Sequence, residues 1–322
     1  MARESWGALG REVRESLNAG QVLLLVCCAG LPVNSQELDH QYSPSHWSHR
    51  LDKDAVIEAH VRKTVEGTIL SRTLAQTVLN IPYGESESQK LDLYLPKETP
   101  LGCKLLIYIH GGYWQFLSKE ESGFMVPPLV SRGIAVMVMD YDIAPKGHMD
   151  LIVSQVRRSI VVTLTQYPQF TDVYLCGHSA GAQLVAMMLC TDWTKHHVSP
   201  KFKGAVLVSG VYDLVPIVHT YVNDALRMSW EVAERNSPIK LMACTKRHTG
   251  TCKIAIVVAE HDSPEFHRQS KDYFESLKAM DLSVCFKQID DTDHFDVIER
   301  LLQEEYELTQ MILEMITKLA DQ

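Results

Sequence analysis

Residues 173–189 read VYLCGHSAGAQLVAMML: an apolar strand-like run, a G-x-S-x-G pentapeptide and an alanine-rich helix-like run in direct succession. A chain with this order has to turn from strand to helix within a few residues, which holds the serine at the tip of a sharp, strained turn. Gly177 and Gly181 flank Ser179 at two residues on either side, where the lack of a side chain lets strand and helix approach closely. The positive end of the helix then lies under whatever group Ser179 attacks. Ser179 is therefore the candidate nucleophile.

The rest of the chain repeats the strand–helix rhythm. LDLYLP (91–96) alternates apolar and polar positions, as a half-buried strand does. KLLIYIH (104–110), AVMVMDY (135–141), VYLCGHS (173–179), AVLVSG (205–210), KIAIVVAEHD (253–262) and VCFKQI (284–289) are nearly continuous apolar runs, which suit central strands covered on both faces. Helix-like stretches at 150–167, 180–193, 265–280 and 296–320 separate or follow them. Such alternation predicts a mostly parallel sheet with right-handed crossovers, and with the Ser179 turn it predicts an α/β-hydrolase fold. Residues 1–34 read as a variable N-terminal extension and 35–322 as one domain, opening with a mainly helical, polar wrap over 35–80. Residues 212–250 interrupt the rhythm and are expected to form a cap insertion over the active-site edge. Tyr212, Tyr221 and Trp230 would give it an aromatic wall, with core packing as the simpler role for any one of them.

Two further motifs suit acyl transfer. His110-Gly111-Gly112-Tyr113-Trp114 follows directly on a strand. Acyl transfer passes through a tetrahedral oxyanion that fixed backbone N–H groups stabilise. The expected donors are Gly111, Gly112 and Ala180, with Tyr113 as a further candidate; His110 is expected to shape this loop. Asp293-His294-Phe295 lies after the last predicted strand, and His294 is the histidine in the Ser…Asp/Glu…His order of this fold. It is the expected general base, whereas His178 sits inside the turn and reads as packing support. Asp262, at the end of KIAIVVAEHD, is the expected orienting carboxylate, with Glu260, Asp213, Asp290, Asp291 and Asp293 as open alternatives.

Composition removes other classes. The formal charge is −9, and no basic cluster supplies the face that a nucleic-acid or anionic-membrane surface requires. None of the eight cysteines forms a C-x-x-C pair, and most read as small buried thiols in a reducing compartment, Cys244 and Cys252 being the pair to check for a disulfide. The apolar run 22–30 (VLLLVCCAG) is too short to span a bilayer, which takes about twenty residues, and its leader carries Glu4, Glu12 and Glu15, unlike the basic leader of a signal peptide. No metal or cofactor is expected, because the histidines lack ligand spacing.

HGGYW, GHSAGA, AEHDSPEFHRQS and DTDHF together resemble the kynurenine formamidase (arylformamidase) family, as do QYSPSHW (41–47), DYDIAPKGHMD (140–150) and CTDWTKHHV (190–198). The resemblance covers roughly residues 35–316. Tyr113 stands where the wider hormone-sensitive-lipase-like esterases have a third glycine. The resemblance implies Ser179, Asp262 and His294 as a triad that hydrolyses N-formyl-L-kynurenine to L-kynurenine and formate, in the cytosol and also the nucleus. The expected partner is that small-molecule substrate, with a homodimer as the assembly considered. A formyl group needs almost no acyl pocket, so Tyr113 and Trp114 are expected to narrow that space, unless Trp114 simply packs beneath its loop. The competing readings are a general short-chain carboxylesterase and a catalytically silent binding module on the same fold.

Overall fold

The computed structural model describes residues 35–318, so the extension 1–34 and its apolar run lie outside the described residues. The described residues open with helix α1 (Ser35–Gln41), a 3-10 turn (Pro44–Trp47) and the long helix α2 (Lys53–Leu74). Asp52 caps α2 by accepting from the N–H groups of Asp54 and Ala55 at 3.1 and 3.0 Å. Then come β1 (Gln76–Pro82), β2 (Lys90–Leu95), β3 (Cys103–Ile109), α3 (Val126–Val130), β4 (Ile134–Met139), α4 (Met149–Gln166), β5 (Phe170–His178), α5 (Ala180–Leu189) and β6 (Phe202–Val208). Short helices α6 (Asn223–Leu226), α7 (Trp230–Arg235) and α8 (Met242–His248), with 3-10 turns at Pro216–His219 and Pro238–Leu241, lie within the 212–250 stretch. They precede β7 (Lys253–Ala259), α9 (Pro264–Ala279), β8 (Val284–Ile289), α10 (Asp296–Glu299) and α11 (Glu307–Lys318).

The eight strands form one sheet in the order β1-β2-β4-β3-β5-β6-β7-β8. Strands β3 to β8 are parallel; β1 and β2 run antiparallel at one edge. Alternate residues of the central strands feed two apolar layers. Leu105, Ile107, Leu175, Leu207 and Ile256 pack towards α4, α5 and α9, while Leu106, Tyr108, Cys176, Val206 and Val257 pack towards α3, α10 and α11. Burial on both faces is the reason these strands lack polar alternation in sequence.

Four local expectations need correction. Residues 76–82 are strand β1, not part of a helical wrap, because Gln76 to Pro82 pair with Leu95 to Lys90. The polar Asp92 of β2 is fully buried, since Arg72, Lys119 and the N–H of Asn80 satisfy its carboxylate. β8 is an edge strand with Cys285 and Phe286 exposed, not a central one. The expected C-terminal helix is split: the chain turns extended at Gln303, and Tyr306 folds back to donate to the Val297 carbonyl at 3.0 Å.

Candidate active site

The parallel strands β3, β5, β6, β7 and β8 end at one rim of the sheet, and the sequence-predicted residues lie on segments that leave β3, β5, β7 and β8. Ser179 joins β5 to α5 with φ 55° and ψ −121°, a conformation that costs a side-chain-bearing residue about 1–3 kcal/mol. The surroundings enforce it. A Cβ at Gly177 would lie 2.3 Å from the Gly181 carbonyl oxygen, and one at Gly181 would lie 2.0 Å from that of Ile109. The Ser179 N–H is tied to the Val208 carbonyl at 2.8 Å.

The β3–α3 loop lies against this turn. A Cβ at Gly111 would meet the His178 carbonyl oxygen at 2.8 Å and the Ser179 Cβ at 3.1 Å, so only glycine fits there. Gly112 has φ +86°, and Tyr113 and Trp114 also have positive φ. The segment is braced from below. His110 stacks on Tyr141 at 4.4 Å between centroids, the Tyr141 hydroxyl donates to the His110 carbonyl at 3.1 Å, and the Ala144 N–H donates to the Trp114 carbonyl at 2.8 Å. Trp114 is fully buried and donates its indole N–H to Gln183 at 3.1 Å, so it packs under the loop. Tyr113, half-buried, donates its hydroxyl to the Tyr42 carbonyl at 2.8 Å.

Of the carboxylates considered, Asp262 is the one that meets His294: Nδ1–H donates to Oδ1 at 2.6 Å, with both residues buried. Its other oxygen accepts from the Ser209 hydroxyl at 2.5 Å and the Ala259 N–H at 2.9 Å. The alternatives are engaged elsewhere. Glu260 accepts from the Asp291 N–H, Asp213 from the Val215 N–H, Asp290 from Gln288, and Asp293 from Arg50 and Ser48. Burial alone would raise the Asp293 carboxyl, but the hydrogen bonds from Arg50 and Ser48 outweigh it and hold the group well below the usual carboxylate range.

The Ser179 hydroxyl has no hydrogen-bond partner among the described residues. Its connection to the histidine runs through His178, whose ring centroid lies 4.6 Å from that of His294 and whose Nε2–H donates to the His294 carbonyl at 2.8 Å. His178 thus holds the backbone of the following loop, a more specific role than packing. Phe266 meets the His294 ring edge-on at 4.9 Å. Burial, then proximity to His294 and His60, pushes the His178 imidazole well below its ordinary pKa; burial pushes His110 down to about 4.

Reading the sequence missed Ser209, Tyr141, Gln183, Arg50 and Ser48. Ser209 carried a signal, since it ends the AVLVSG strand at the same rim; it has φ 47° and donates to Asp262. Arg50 and Ser48 had none, lying more than 240 positions from the Asp293 they hold. Among the described residues no helix is long and apolar enough to cross a membrane, and no group of histidine, cysteine and carboxylate is arranged to hold a metal.

Residues 106–296 match the alpha/beta hydrolase fold family Abhydrolase_3. The chain is 54 % identical over 287 residues to kynurenine formamidase of Salmo salar, covering 89 % of this chain and 98 % of that protein. It is 31 % identical over 276 residues to the Drosophila melanogaster kynurenine formamidase, covering 82 % and 92 %. Esterase B from Lactobacillus rhamnosis shares the fold at TM-score 0.63 and 17 % identity, covering 83 % of this chain and 95 % of that one.

Proposed function

Because the chain belongs to the kynurenine formamidase family on the α/β-hydrolase fold, we propose that it hydrolyses N-formyl-L-kynurenine to L-kynurenine and formate with Ser179 as nucleophile, His294 as general base and Asp262 as orienting carboxylate. The observation that carries the residue roles is the 2.6 Å contact from His294 Nδ1 to Asp262, which leaves Nε2 as the ring nitrogen free for Ser179.

In this reading His294 Nε2 takes the Ser179 proton as the hydroxyl oxygen bonds to the formyl carbon. The Ser179–His294 hydrogen bond forms with substrate in place, since such bonds are often long without it. The N–H groups of Gly111, Gly112 and Ala180 receive the oxyanion; beyond the fixed loop, α5 adds its positive end. His294 then gives the proton to the departing arylamine, which leaves poorly as an anion. Water, deprotonated by His294, attacks the formyl-enzyme and releases formate. Tyr113 is the residue proposed to limit the acyl space. Residues 212–250 are proposed as a cap, supported by Gln115 donating to the Val222 carbonyl and Gln183 to the Asn236 carbonyl.

Product analysis with N-formylkynurenine tests the proposal. The intact protein is expected to yield kynurenine and formate, and Ser179→Ala is expected to lose both turnover and fluorophosphonate labelling. A strong preference for a short-chain nitrophenyl ester would make the protein a carboxylesterase, and absence of labelling a silent binding module. We further propose a cytosolic protein, present also in the nucleus, in keeping with unpaired Cys103, Cys176, Cys190, Cys244, Cys252 and Cys285; fractionation decides this. A homodimer is proposed at the open β8 edge, where sedimentation as a monomer would remove it.

A further inference from the structure

His294 sits on a short crossing between β8 and the four-residue helix α10, where the Thr292 carbonyl accepts from the His261 N–H at 2.9 Å and the Asp291 N–H donates to Glu260 at 2.7 Å. A second set of ties reaches it from the N-terminal part of the chain. Arg50, between the Pro44–Trp47 turn and α2, donates from Nε to Asp293 Oδ2 at 2.9 Å and from Nη2 to Asp293 Oδ1 at 3.0 Å. Ser48 adds its hydroxyl to Oδ2 at 2.6 Å. Asp293, fully buried, turns Oδ1 towards the N–H groups of Phe295 and Asp296, both at 2.9 Å. The same guanidinium lies 3.5 Å from the carboxylates of Asp296 and Glu299, and Glu299 accepts from His60 and Lys63 on α2. One planar fork therefore ties Asp293, Asp296 and Glu299 into a single charged node next to His294, while His178 holds the His294 carbonyl.

We infer that Arg50 is a positioning residue for the hydrolytic reaction: through Asp293 it fixes the backbone from which His294 reaches Ser179. The inference rests on the reading of His294 as general base. Asp262 orients the imidazole by its side chain; Arg50 sets where the ring starts from. A bidentate fork on a buried carboxylate defines both position and angle, which a lysine ammonium at the same place does not. The N-terminal helical segment thereby becomes part of the catalytic apparatus without touching substrate.

The test compares Arg50→Ala, Arg50→Lys and His294→Ala in the full-length protein, with N-formylkynurenine as substrate. Misplacing the base by about 1 Å costs on the order of 100-fold in rate. Arg50→Ala is expected to lower kcat by about 10- to 100-fold with KM changed less than about threefold, the split of an interaction that matters in the transition state. Arg50→Lys should recover only part of the loss. Added guanidinium at millimolar concentration should restore turnover to Arg50→Ala and leave the native protein unchanged. The downfield proton resonance of the His294–Asp262 hydrogen bond, identified by its absence in His294→Ala, should broaden in Arg50→Ala; a general loss of stability would not select that signal. If Arg50→Ala does not fold, Arg50→Lys decides by the same readouts. Retention of native kcat and a sharp resonance by the Arg50 variants, while His294→Ala is inactive, overturns the positioning role. Native activity in His294→Ala overturns the underlying base assignment instead.

Discussion

Ser209 places its hydroxyl 2.5 Å from Oδ2 of Asp262, and it does so from a backbone φ of 47°. A strained residue persists when the surrounding contacts compensate for it, and here the Ser209 N–H is also held by the Val257 carbonyl at 2.7 Å. Hydrogen bonds to charged groups contribute about 1.5–3 kcal/mol. Ser209→Ala is therefore expected to reduce kcat/KM for the formamide roughly 10-fold or more, because Asp262 then keeps only the Ala259 N–H on that oxygen. Steady-state kinetics on the two proteins, with circular dichroism to confirm folding, checks this; unchanged kcat/KM would assign Ser209 a purely structural part.

Trp114 supports the His110–Trp114 loop from inside the core. Trp114→Phe keeps most of the ring but leaves the Gln183 carbonyl oxygen without its 3.1 Å donor. The expected cost is about 1–3 kcal/mol of unfolding free energy from the unsatisfied buried acceptor. Urea denaturation measures it, and a shift below the error of the fit contradicts the burial argument.

Gly181 lets α5 lie against the end of β3. An alanine there would bring its Cβ to 2.0 Å from one backbone oxygen and 2.6 Å from another, neither of which can move as a side chain would. Gly181→Ala is expected to lower Tm by more than about 5 °C, the shift that corresponds to a loss of a few kcal/mol in a domain of this size. Thermal unfolding of a soluble preparation, or its failure to accumulate, tests the prediction.

His110 and His178 make the fold acid-sensitive. Each uses one ring N–H on a carbonyl, and the other nitrogen, Nε2 of His110 and Nδ1 of His178, is buried with no partner among the described residues to receive a second proton. Their folded pKa values therefore fall below the ordinary value of 6.5, to about 4 for His110. The unfolded chain binds protons that the folded one refuses, so the contribution is whole above pH 6.5 and is lost as pH falls towards the folded values. Stability should decline by roughly 1.4 kcal/mol per pH unit for each group well inside that window. Urea titrations at pH 7, 6 and 5 should show the decline, and His110→Gln should flatten it.

The proposed limit on acyl size at Tyr113 is open to a direct test. Its Tyr113→Ala variant, with Trp114 retained, is expected to raise the ratio of butyryl-ester to formamide turnover. A flat ratio would place the limit on acyl size elsewhere.

Several parts of this fold are legible in the sequence. The parallel strands β3 to β7 announce themselves because burial on both faces demands unbroken apolar runs. β8 does not obey that logic: VCFKQI is apolar enough to pass for a central strand, yet it has a neighbour on one side only. Asp92 makes the same point in reverse. Its charge argues for a solvent-facing position in the strand, and three partners 12 to 27 positions away in sequence make burial tolerable.

The order of residues along the chain determined the turn at Ser179, because its geometry is local. Gly177, Ser179 and Gly181 lie within five positions, and Gly177 is needed because the Gly181 carbonyl oxygen would lie 2.3 Å from a Cβ there, whereas the need for Gly181 comes from the end of β3. Which carboxylate reaches His294, and which cation steadies the segment bearing it, were decided only by tertiary structure. Asp262 and Arg50 do their work across 32 and 243 positions, respectively. Over such separations the partner is chosen by where the sheet ends and by which charges burial leaves to be satisfied, and neither is written in any local run of residues.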